Sequence, residues 1–484
     1  MLAVVVSRAD SASEHIGEHL RELGTWTDHT DPSRPDADGG GAVYRSVADG
    51  GTVELRAFDA LHLETRDVAE AFGTVADGPE REPDLLVFAS RHAGETGPLL
   101  TAHHTGNFGP AEFGGEDGSL ARACPHAHSE VLAALEEYAP ESYEVGTECT
   151  HHGPSAVGVP SMFVELGSDQ AQWDDPAGAR AVARAILALR GVAADAPAEG
   201  GPARPDDEAD GGPSDGDGDR RHLVGFGGGH YAPRFERVVR ETDWVVGHVG
   251  ANWCLDAMGD PDENREVLRA AFEASGATRA LVEGEATDLE AVVEDLGYRV
   301  VSETWLRETG GGESVPLGLA ADLEALLCPV ADGLRFGERA RGVDPDAVGE
   351  PTVVDLPTEL LAAARGIDRE ATRAAVERAT LAFDTTENGN RVADRAVVGA
   401  TRDREALVDD LVGILETRYD SVERADGAVV ARETAFDPER ARTLGVPEGP
   451  KFGRLAEGQP VDVDGETIDP AVVSVEREQR FPLD

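Results

Sequence analysis

The segment Asp84-Leu85-Leu86-Val87-Phe88-Ala89-Ser90 is a short unbroken apolar run closed by polar residues at both ends. A strand that is apolar at every position has no face to give to water. It belongs in a sheet covered on both sides, and such sheets are built mostly of parallel strands with helical crossovers. Leu2 to Val6 and Met162 to Leu166 repeat the pattern, and Val53 to Leu63 and Leu99 to His103 read as further strands. Between them lie helical stretches at Ser13 to Leu23, Val131 to Tyr138 and Pro176 to Arg190. The last carries Ala181, Ala185, Ile186 and Leu189 on one face, with Gly191 just beyond its end. This alternation predicts an α/β fold with a mixed, largely parallel sheet flanked by helices.

Residues 192–221 interrupt the pattern. They are mostly Ala, Pro, Gly and Asp without apolar periodicity, which predicts a disordered insertion within one domain. The α/β pattern resumes at His222-Leu223-Val224-Gly225-Phe226, with helices at Glu263 to Ser275 and Leu289 to Leu296 and a strand at Arg299-Val300-Val301. Gly310-Gly311-Gly312 is the better boundary. The expectation is one catalytic domain over 1–310 and a mainly helical extension over 311–484. Helices near 317–328, 357–381 and 403–417 precede a short β-rich tail.

Charge narrows the function. The 43 Lys and Arg face 94 Asp and Glu, a net charge of −51, and the only lysine is Lys451. There is no basic run of the kind a tail-driven nucleic-acid binder needs, and no apolar stretch approaches the roughly 18 residues of a membrane span. The first residues are too short, and too poor in basic side chains, for a signal peptide. Cys124, Cys149, Cys254 and Cys328 are too far apart for a CxxC metal site or a disulfide framework. A soluble, cytoplasmic protein is expected. Periodic apolar segments argue against disorder as the reason for the acidity, and the near absence of lysine predicts a halophile. Molar salt shortens the Debye length to about 3 Å and screens the self-repulsion.

Histidine carries the chemistry. Six of the 14 histidines sit in four short contexts: His103-His104-Thr105-Gly106-Asn107, Thr150-His151-His152-Gly153-Pro154, Gly227-Gly228-Gly229-His230-Tyr231, and Gly247-His248. Each follows an apolar run, hence a strand end, where ligands bind in open α/β sheets. A catalytic zinc takes three protein ligands and an open position, so His103, His151, His152, His230 and His248 could supply one or two such sites. Glu148 or Glu165 would serve as a carboxylate ligand or base, and bound water could attack an ester or amide carbonyl. Adjacent His151 and His152 point opposite ways on a strand, so one of the two is expected to ligate a given metal.

Gly225-Phe226-Gly227-Gly228-Gly229-His230 after a strand resembles a phosphate-cradling loop, and Pro233 suits the first turn of a following helix. The last glycine of GxGxxG and the Walker lysine are missing, so no dinucleotide is expected, although one phosphate could sit at the helix start. Arg91, in Ser90-Arg91-His92, could contact phosphate or form a structural ion pair. Ser155 lacks the nucleophile-elbow context of a serine hydrolase.

Taken together, these motifs resemble the archaeal and plant type of D-aminoacyl-tRNA deacylase. The resemblance rests on Ser90-Arg91-His92, His103 with Gly106-Asn107, Glu148 with Thr150-His151-His152-Gly153-Pro154, Phe163-Val164-Glu165-Leu166-Gly167-Ser168, Trp173, Gly227 to Pro233 and Gly247-His248. It runs from residue 1 to about 305, apart from the 192–221 insertion. It implies hydrolysis of the ester between a D-amino acid and the tRNA 3′ adenosine, zinc (one or two ions per chain), and a monomer. It also implies a fold related to peptidyl-tRNA hydrolase and nucleoside phosphorylase, and no membrane. In roles, it and the residue reading give His103, His151, His230 and His248 as metal ligands. Glu148, Glu165, His152 and Asn107 become catalytic groups, Asn107 or the 227–229 N–H groups as oxyanion donors. Arg91, His92, Gly227, Gly228, Gly229 and Tyr231 would contact substrate.

Two departures stand out. Cys149 occupies a position where the family usually has a small residue, and the segment after His248, Val249-Gly250-Ala251-Asn252, lacks the expected Lys-Tyr. Leu444 to Leu455 is similar to a segment of the tRNA 3′-processing ribonuclease Z, but the zinc motif of that enzyme is absent, so no nuclease activity follows. Three alternatives stay open: a phosphorylase-like enzyme, another metal-dependent hydrolase, and a non-catalytic tRNA-end binder.

Overall fold

Pleat geometry decides what each strand can carry to the site. The computed structural model describes residues 1–48, 50–197, 220–344 and 348–483, and the chain divides into two units, Met1–Gly311 and Gly312–Asp484. Most of the insertion expected over 192–221 lies outside the described residues. The strands of the first unit are β1 (Leu2–Ser7), β2 (Thr27–Asp31), β3 (Gly41–Ala48), β4 (Gly51–Phe58), β5 (Leu85–Arg91), β6 (Leu99–His104), β7 (Glu144–Thr147), β8 (Ser161–Gly167), β9 (His222–Gly227), β10 (Val245–Gly250), β11 (Arg279–Glu283) and β12 (Arg299–Val300). Its helices are α1 (Ser11–Leu23), α2 (Pro125–Tyr138), α3 (Gln170–Trp173), α4 (Pro176–Ala188), α5 (Pro233–Glu241), α6 (Asn252–Met258), α7 (Arg265–Ser275), α8 (Thr287–Asp295) and α9 (Glu303–Thr309).

The main sheet has eight strands in the order β2-β3-β4-β1-β5-β8-β6-β7, and a second sheet has the order β10-β9-β11-β12. The run β4-β1-β5-β8 is parallel, β6 enters antiparallel to β8, and β7 is parallel to β6. The second sheet is parallel throughout. A mixed, largely parallel α/β sheet was the expected class, and the structure has it.

Alternation sorts the side chains. Leu2, Val4 and Val6 of β1, Val87 of β5, Ala102 of β6 and Val164 of β8 share one core with α1, α2 and α4. Ala3, Val5, Phe88 and Phe163 form the core on the opposite face. Residues in step with Phe163 therefore face away from those helices. Glu165 is two positions along β8, and His103 pairs directly with Phe163 across the β6–β8 ladder.

β2 and β3 went unread in the sequence because the face they bury is charged. Arg56, fully buried, donates from Nε to Glu54 at 2.7 Å and from Nη1 to Asp31 at 2.6 Å and to the carbonyl of Gly39 at 2.8 Å. Arg45 donates from Nε to the other oxygen of Glu54 at 2.7 Å and to the carbonyls of Gly73 and Pro79, each at 2.6 Å. Two guanidiniums and two carboxylates thus make an internally neutral cluster that ties the sheet to residues 73–79.

The second unit contains α10 (Leu317–Leu326), β13 (Arg335–Phe336), β14 (Thr352–Asp355), α11 (Thr358–Ile367), α12 (Arg369–Ala379), β15 (Ala382–Thr386), β16 (Arg391–Val398), α13 (Thr401–Glu416), β17 (Ser421–Ala425), β18 (Ala428–Phe436), α14 (Pro438–Thr443), α15 (Pro450–Ala456), β19 (Val461–Val463), β20 (Glu466–Ile468) and β21 (Ser474–Pro482). Helices occur near the expected 317–328 and 403–417, and the stretch expected as helix over 357–381 is two helices, α11 and α12, parted at Asp368. Between them lies an antiparallel sheet, β13-β15-β16-β14, that the sequence reading did not anticipate, and β17-β18-β21 form a second sheet. Leu360, Ala364, Val376, Phe383, Leu411 and Phe481 centre its own core.

Candidate active site

Several chain segments bring the site together on the face away from α1, α2 and α4. The end of β5 delivers His92, and that end is fixed by Asp10. One oxygen of Asp10 caps α1 through the N–H groups of Ala12 and Ser13, and the other accepts from Arg91 N at 3.1 Å. Trp173 donates its indole N–H to the carbonyl of His92 at 3.0 Å. Glycine at 167 is required for this approach, since a Cβ there would lie 2.6 Å from the Cβ of His92. The variant Gly167→Ala is expected to push His92 off position and lower turnover by at least about tenfold, given that misplacements near 1 Å can cost 10²-fold. Steady-state kinetics beside a thermal melt would check this, and an unchanged kcat would remove His92 from the machinery.

Two buried carboxylates lie beneath the cluster. Glu148 accepts from His230 Nε2 at 2.8 Å and faces His92 Nδ1 at 3.1 Å. Glu165 stands farther off, 3.6 Å from both His92 Nδ1 and His103 Nε2. Burial opposes charging His92, but the hydrogen bonds and charges of Glu148 and Glu165 outweigh it and push its pKa up to about 11. Burial likewise opposes ionising Glu148, yet His230 and His92 hold it well below the usual carboxylate range. Glu165 is lowered in the same way by His103 and His92. A charged His92 donates from both nitrogens. Its Nε2 lies 3.2 Å from Tyr231 Oη, so the phenol oxygen accepts there and its own O–H is left to point outward.

Three imidazoles converge beside the carboxylates. The available nitrogens of His103, His151 and His152 lie within 4.8 Å of one another. Each ring donates Nδ1–H to a backbone carbonyl: His103 to His104 at 3.0 Å, His151 to Cys149 at 2.8 Å, and His152 to Gly153 at 2.9 Å. A neutral imidazole has a single N–H, so in its neutral form each ring keeps a lone pair on Nε2. His103 Nε2 is buried and has no hydrogen-bond partner among the described residues. Burial, reinforced by neighbouring imidazoles, lowers His151 and takes His152 down to about 4, which keeps both neutral. Burial also opposes charge on His103, but Glu165 overcomes it and raises that ring.

These three Nε2 atoms, each on a ring oriented by a carbonyl at the far nitrogen, could together hold a metal ion, which would have to displace the proton that Glu165 favours on His103. A second group, Cys149, His151 and His230, also falls within 4.8 Å. It shares His151, whose Nδ1 is already committed, so the two sets would compete for one ring nitrogen. In the third group, His92 with Glu148 and Glu165, the charged imidazole offers no lone pair.

Several expectations need correction. Residues 148–157 carry no strand, so His151 and His152 do not diverge; their ring centroids are 4.4 Å apart and both face His103. His248, expected as a ligand, lies elsewhere. Its Nδ1 is 3.1 Å from Thr150 Oγ1 and its Nε2 is 2.8 Å from the carbonyl of Ala121, so both nitrogens are taken. Asn107 cannot be the oxyanion donor, because its amide N–H groups go to the carbonyls of Gly114 at 2.9 Å and Glu116 at 3.4 Å. Gly227 is left-handed at φ 96°, and a Cβ there would meet the carbonyl of Glu283 at 2.2 Å. A Cβ at Gly228 would sit 2.5 Å from the Glu283 carboxylate, and that negative charge opposes phosphate at this loop. The 227–229 turn serves instead to carry His230 and Tyr231. Arg91 lies over Trp173, 5.2 Å from the ring centre, and is half-buried at the edge of the site.

The sequence reading missed two aromatics on the rim. Trp253 opens α6 with its ring centre 6.3 Å from His230 and 6.5 Å from His151. Phe113 lies on the 107–118 loop, and its carbonyl accepts from Gly153 N at 3.1 Å, next to His152. The available signal was the isolation of each ring among small and polar residues in a chain that is only 5% aromatic.

Residues 79–301 match the family profile described as D-aminoacyl-tRNA deacylase. Among curated relatives, the D-aminoacyl-tRNA deacylase of Haloarcula marismortui is 56% identical over 487 residues, covering 100% of both chains. That of Halorubrum lacusprofundi is 55% identical, covering 100% of this chain and 97% of the relative. That of Methanoregula boonei is 33% identical, covering 83% and 85%. A crystal structure described as a conserved protein of unknown function superposes with a TM-score of 0.51 at 25% identity, covering 64% of this chain and 98% of that one.

Proposed function

This chain belongs to the D-aminoacyl-tRNA deacylase family and is an enzyme, and we propose that its histidine–carboxylate cluster hydrolyses the ester joining a D-amino acid to the 3′-terminal adenosine of tRNA with the help of one zinc ion. The observation that carries this reading is the convergence of three imidazoles, His103, His151 and His152, each backed by a carbonyl on Nδ1 with Nε2 turned to the common point. These three would hold the metal. When bound, zinc supplies Lewis-acid polarisation at a site where an ester is attacked by water.

The chain's own groups then divide the labour. Glu165 is the less engaged of the two carboxylates, at 3.6 Å from its partners, and takes a proton from the attacking water. Tyr231, whose oxygen accepts from the charged His92, donates its O–H to the carbonyl oxygen as negative charge develops there. His230, oriented by Glu148 at 2.8 Å and about 30% exposed, gives a ring proton to the departing ribose oxygen and regains one from solvent, while Glu165 releases to solvent the proton it took. The acyl C–O bond breaks, giving a free D-amino acid and a tRNA 3′-hydroxyl. Arg91, stacked over Trp173 next to His92 in the chain, is the cation assigned to the terminal phosphate. Residues 312–484 have their own core and contribute none of these groups; we propose no catalytic part for them.

The test is deacylation of D-Tyr-tRNA and L-Tyr-tRNA in molar KCl, with chelator and zinc add-back. The expected result is hydrolysis of the D-ester alone, abolished by chelator and restored by zinc, with the bound zinc lost in His103→Ala. D-selective hydrolysis that survives chelation would overturn the metal reading. Phosphate-dependent nucleoside cleavage, or tRNA binding without turnover, would overturn the deacylase reading itself.

A further inference from the structure

We propose that Trp253 is the platform on which the nucleobase at the substrate's 3′ end stacks, an inference that rests on the deacylase reading above. Trp253 is 46% exposed, whereas Trp244 and Trp305 are fully buried, Trp26 packs against the sheet core and Trp173 braces His92. Folding gives no reason for an indole to stay half open, since burying apolar surface is favourable at about 25 cal/mol per Å².

Its placement supplies the reason. The ring lies within 21° of parallel to His230, 6.3 Å from it, and 6.5 Å from His151, so a half-exposed indole stands beside the cluster. Asn252 N donates to the carbonyl of Gly228 at 3.0 Å, which fixes the start of α6 to the loop that carries His230. The indole and the imidazole therefore sit on two segments joined by a backbone hydrogen bond. Phe113, 57% exposed, stands on the loop that borders His152 and offers a second apolar ring on the same rim.

The occupant follows from charge. With 94 acidic and 43 basic residues, this surface repels a polyanion, and phosphate contacts lose about 10³ to 10⁵ in affinity between 50 and 200 mM salt. Stacking of a base on an aromatic ring needs no cation and is not screened by salt. It contributes about 1–3 kcal/mol per base by alanine substitution, and it tolerates any base because every base has a π-face. A single planar base at a free 3′ end fits an open indole beside the ester-cleaving groups better than a stretch of backbone does.

The experiment compares the full-length wild type with Trp253→Ala and Trp253→Phe on D-Tyr-tRNA and D-Ala-tRNA across molar KCl concentrations. Trp253→Ala is expected to raise KM by roughly 5- to 150-fold. The factor should be equal for the two amino acids and constant with salt, with kcat within about threefold and most of the loss recovered by Trp253→Phe. An unchanged KM overturns the proposal. So does a loss confined to D-Tyr-tRNA, which would put the indole against the amino-acid side chain, and so does a loss that varies with salt. If the wild type deacylates neither substrate, the deacylase reading fails, and tryptophan fluorescence on titration with adenosine monophosphate decides the platform separately. Quenching in the wild type that disappears in Trp253→Phe supports stacking, and no quenching overturns it.

Discussion

Glu148→Gln is expected to lower deacylation of D-aminoacyl-tRNA by about 10²- to 10⁴-fold, the range associated with a positioned proton-transfer group, with the loss in kcat rather than KM. The substitution keeps size and shape, so the fold should survive. The Glu148 carboxylate accepts from His230 Nε2 with one oxygen and faces His92 Nδ1 at 3.1 Å with the other. Glutamine can accept on one side only, and its NH2 meets a donor on the other. His92 then loses the nearer of the two carboxylates that hold it charged. A neutral His92 accepts from Tyr231 instead of donating to it, so the phenol proton turns away from the substrate. Single-turnover kinetics in molar KCl, with circular dichroism as the fold control, would decide. A rate within about threefold of wild type would mean that Glu148 merely fills space.

The second large effect concerns stability. Glu54→Ala should destabilise the first unit by about 3–5 kcal/mol, because it leaves the Arg45 and Arg56 guanidiniums buried without their shared carboxylate. Surface ion pairs offer the contrast. Arg66 and Glu116 are paired but exposed, and removing that pair should cost far less than removing Glu54. Molar KCl should erase the surface contribution and leave the Glu54 deficit intact, since ions do not screen a pair they cannot approach. Denaturant unfolding of both variants at two KCl concentrations reads this directly. A Glu54→Ala deficit below about 1 kcal/mol, or one that vanishes with salt, would show that water reaches the cluster.

The sequence made the frame of the first unit legible where burial and hydrophobicity coincide. Leu85 to Ala89 reads as a two-sided strand because neither core tolerates a polar residue there. β3 and β4 obey the same geometry with Arg45, Glu54 and Arg56 inside, and no apolar pattern announces them. The edge strand β2, Thr-Asp-His-Thr-Asp, is held by its backbone ladder to β3 and has no side-chain periodicity to read. In the second unit, β15 and β16 lie between helices that the apolar spacing reveals, but their pairing is a tertiary fact.

In the site, residue type was readable and geometry was not. Histidines at strand ends pointed to a cluster, yet which of them meet depends on the path of the 148–157 loop. His152 and His248 look alike in sequence, and only the fold gives one a free Nε2 and the other two occupied nitrogens. His92 looked like a substrate contact. Its place between Glu148 and Glu165 depends on strands β5 and β8 lying side by side, joined across more than seventy residues of chain.

The dipeptide His103-His104 sits at the end of β6, where consecutive residues emerge on opposite sides of the sheet. His103 meets His151 and His152, whereas His104 meets His128 and His248. The sheet therefore works as a partition between a reacting compartment and a supporting one, and two chemically identical neighbours should fail in different ways when changed. Loss of His103 should leave a stable but inert protein, and loss of His104 should leave a competent site in a less stable protein. Deleting one residue of β6 would exchange the two rings across that partition. The strand's spacing is thus as much a part of the enzyme's chemistry as the imidazoles it carries.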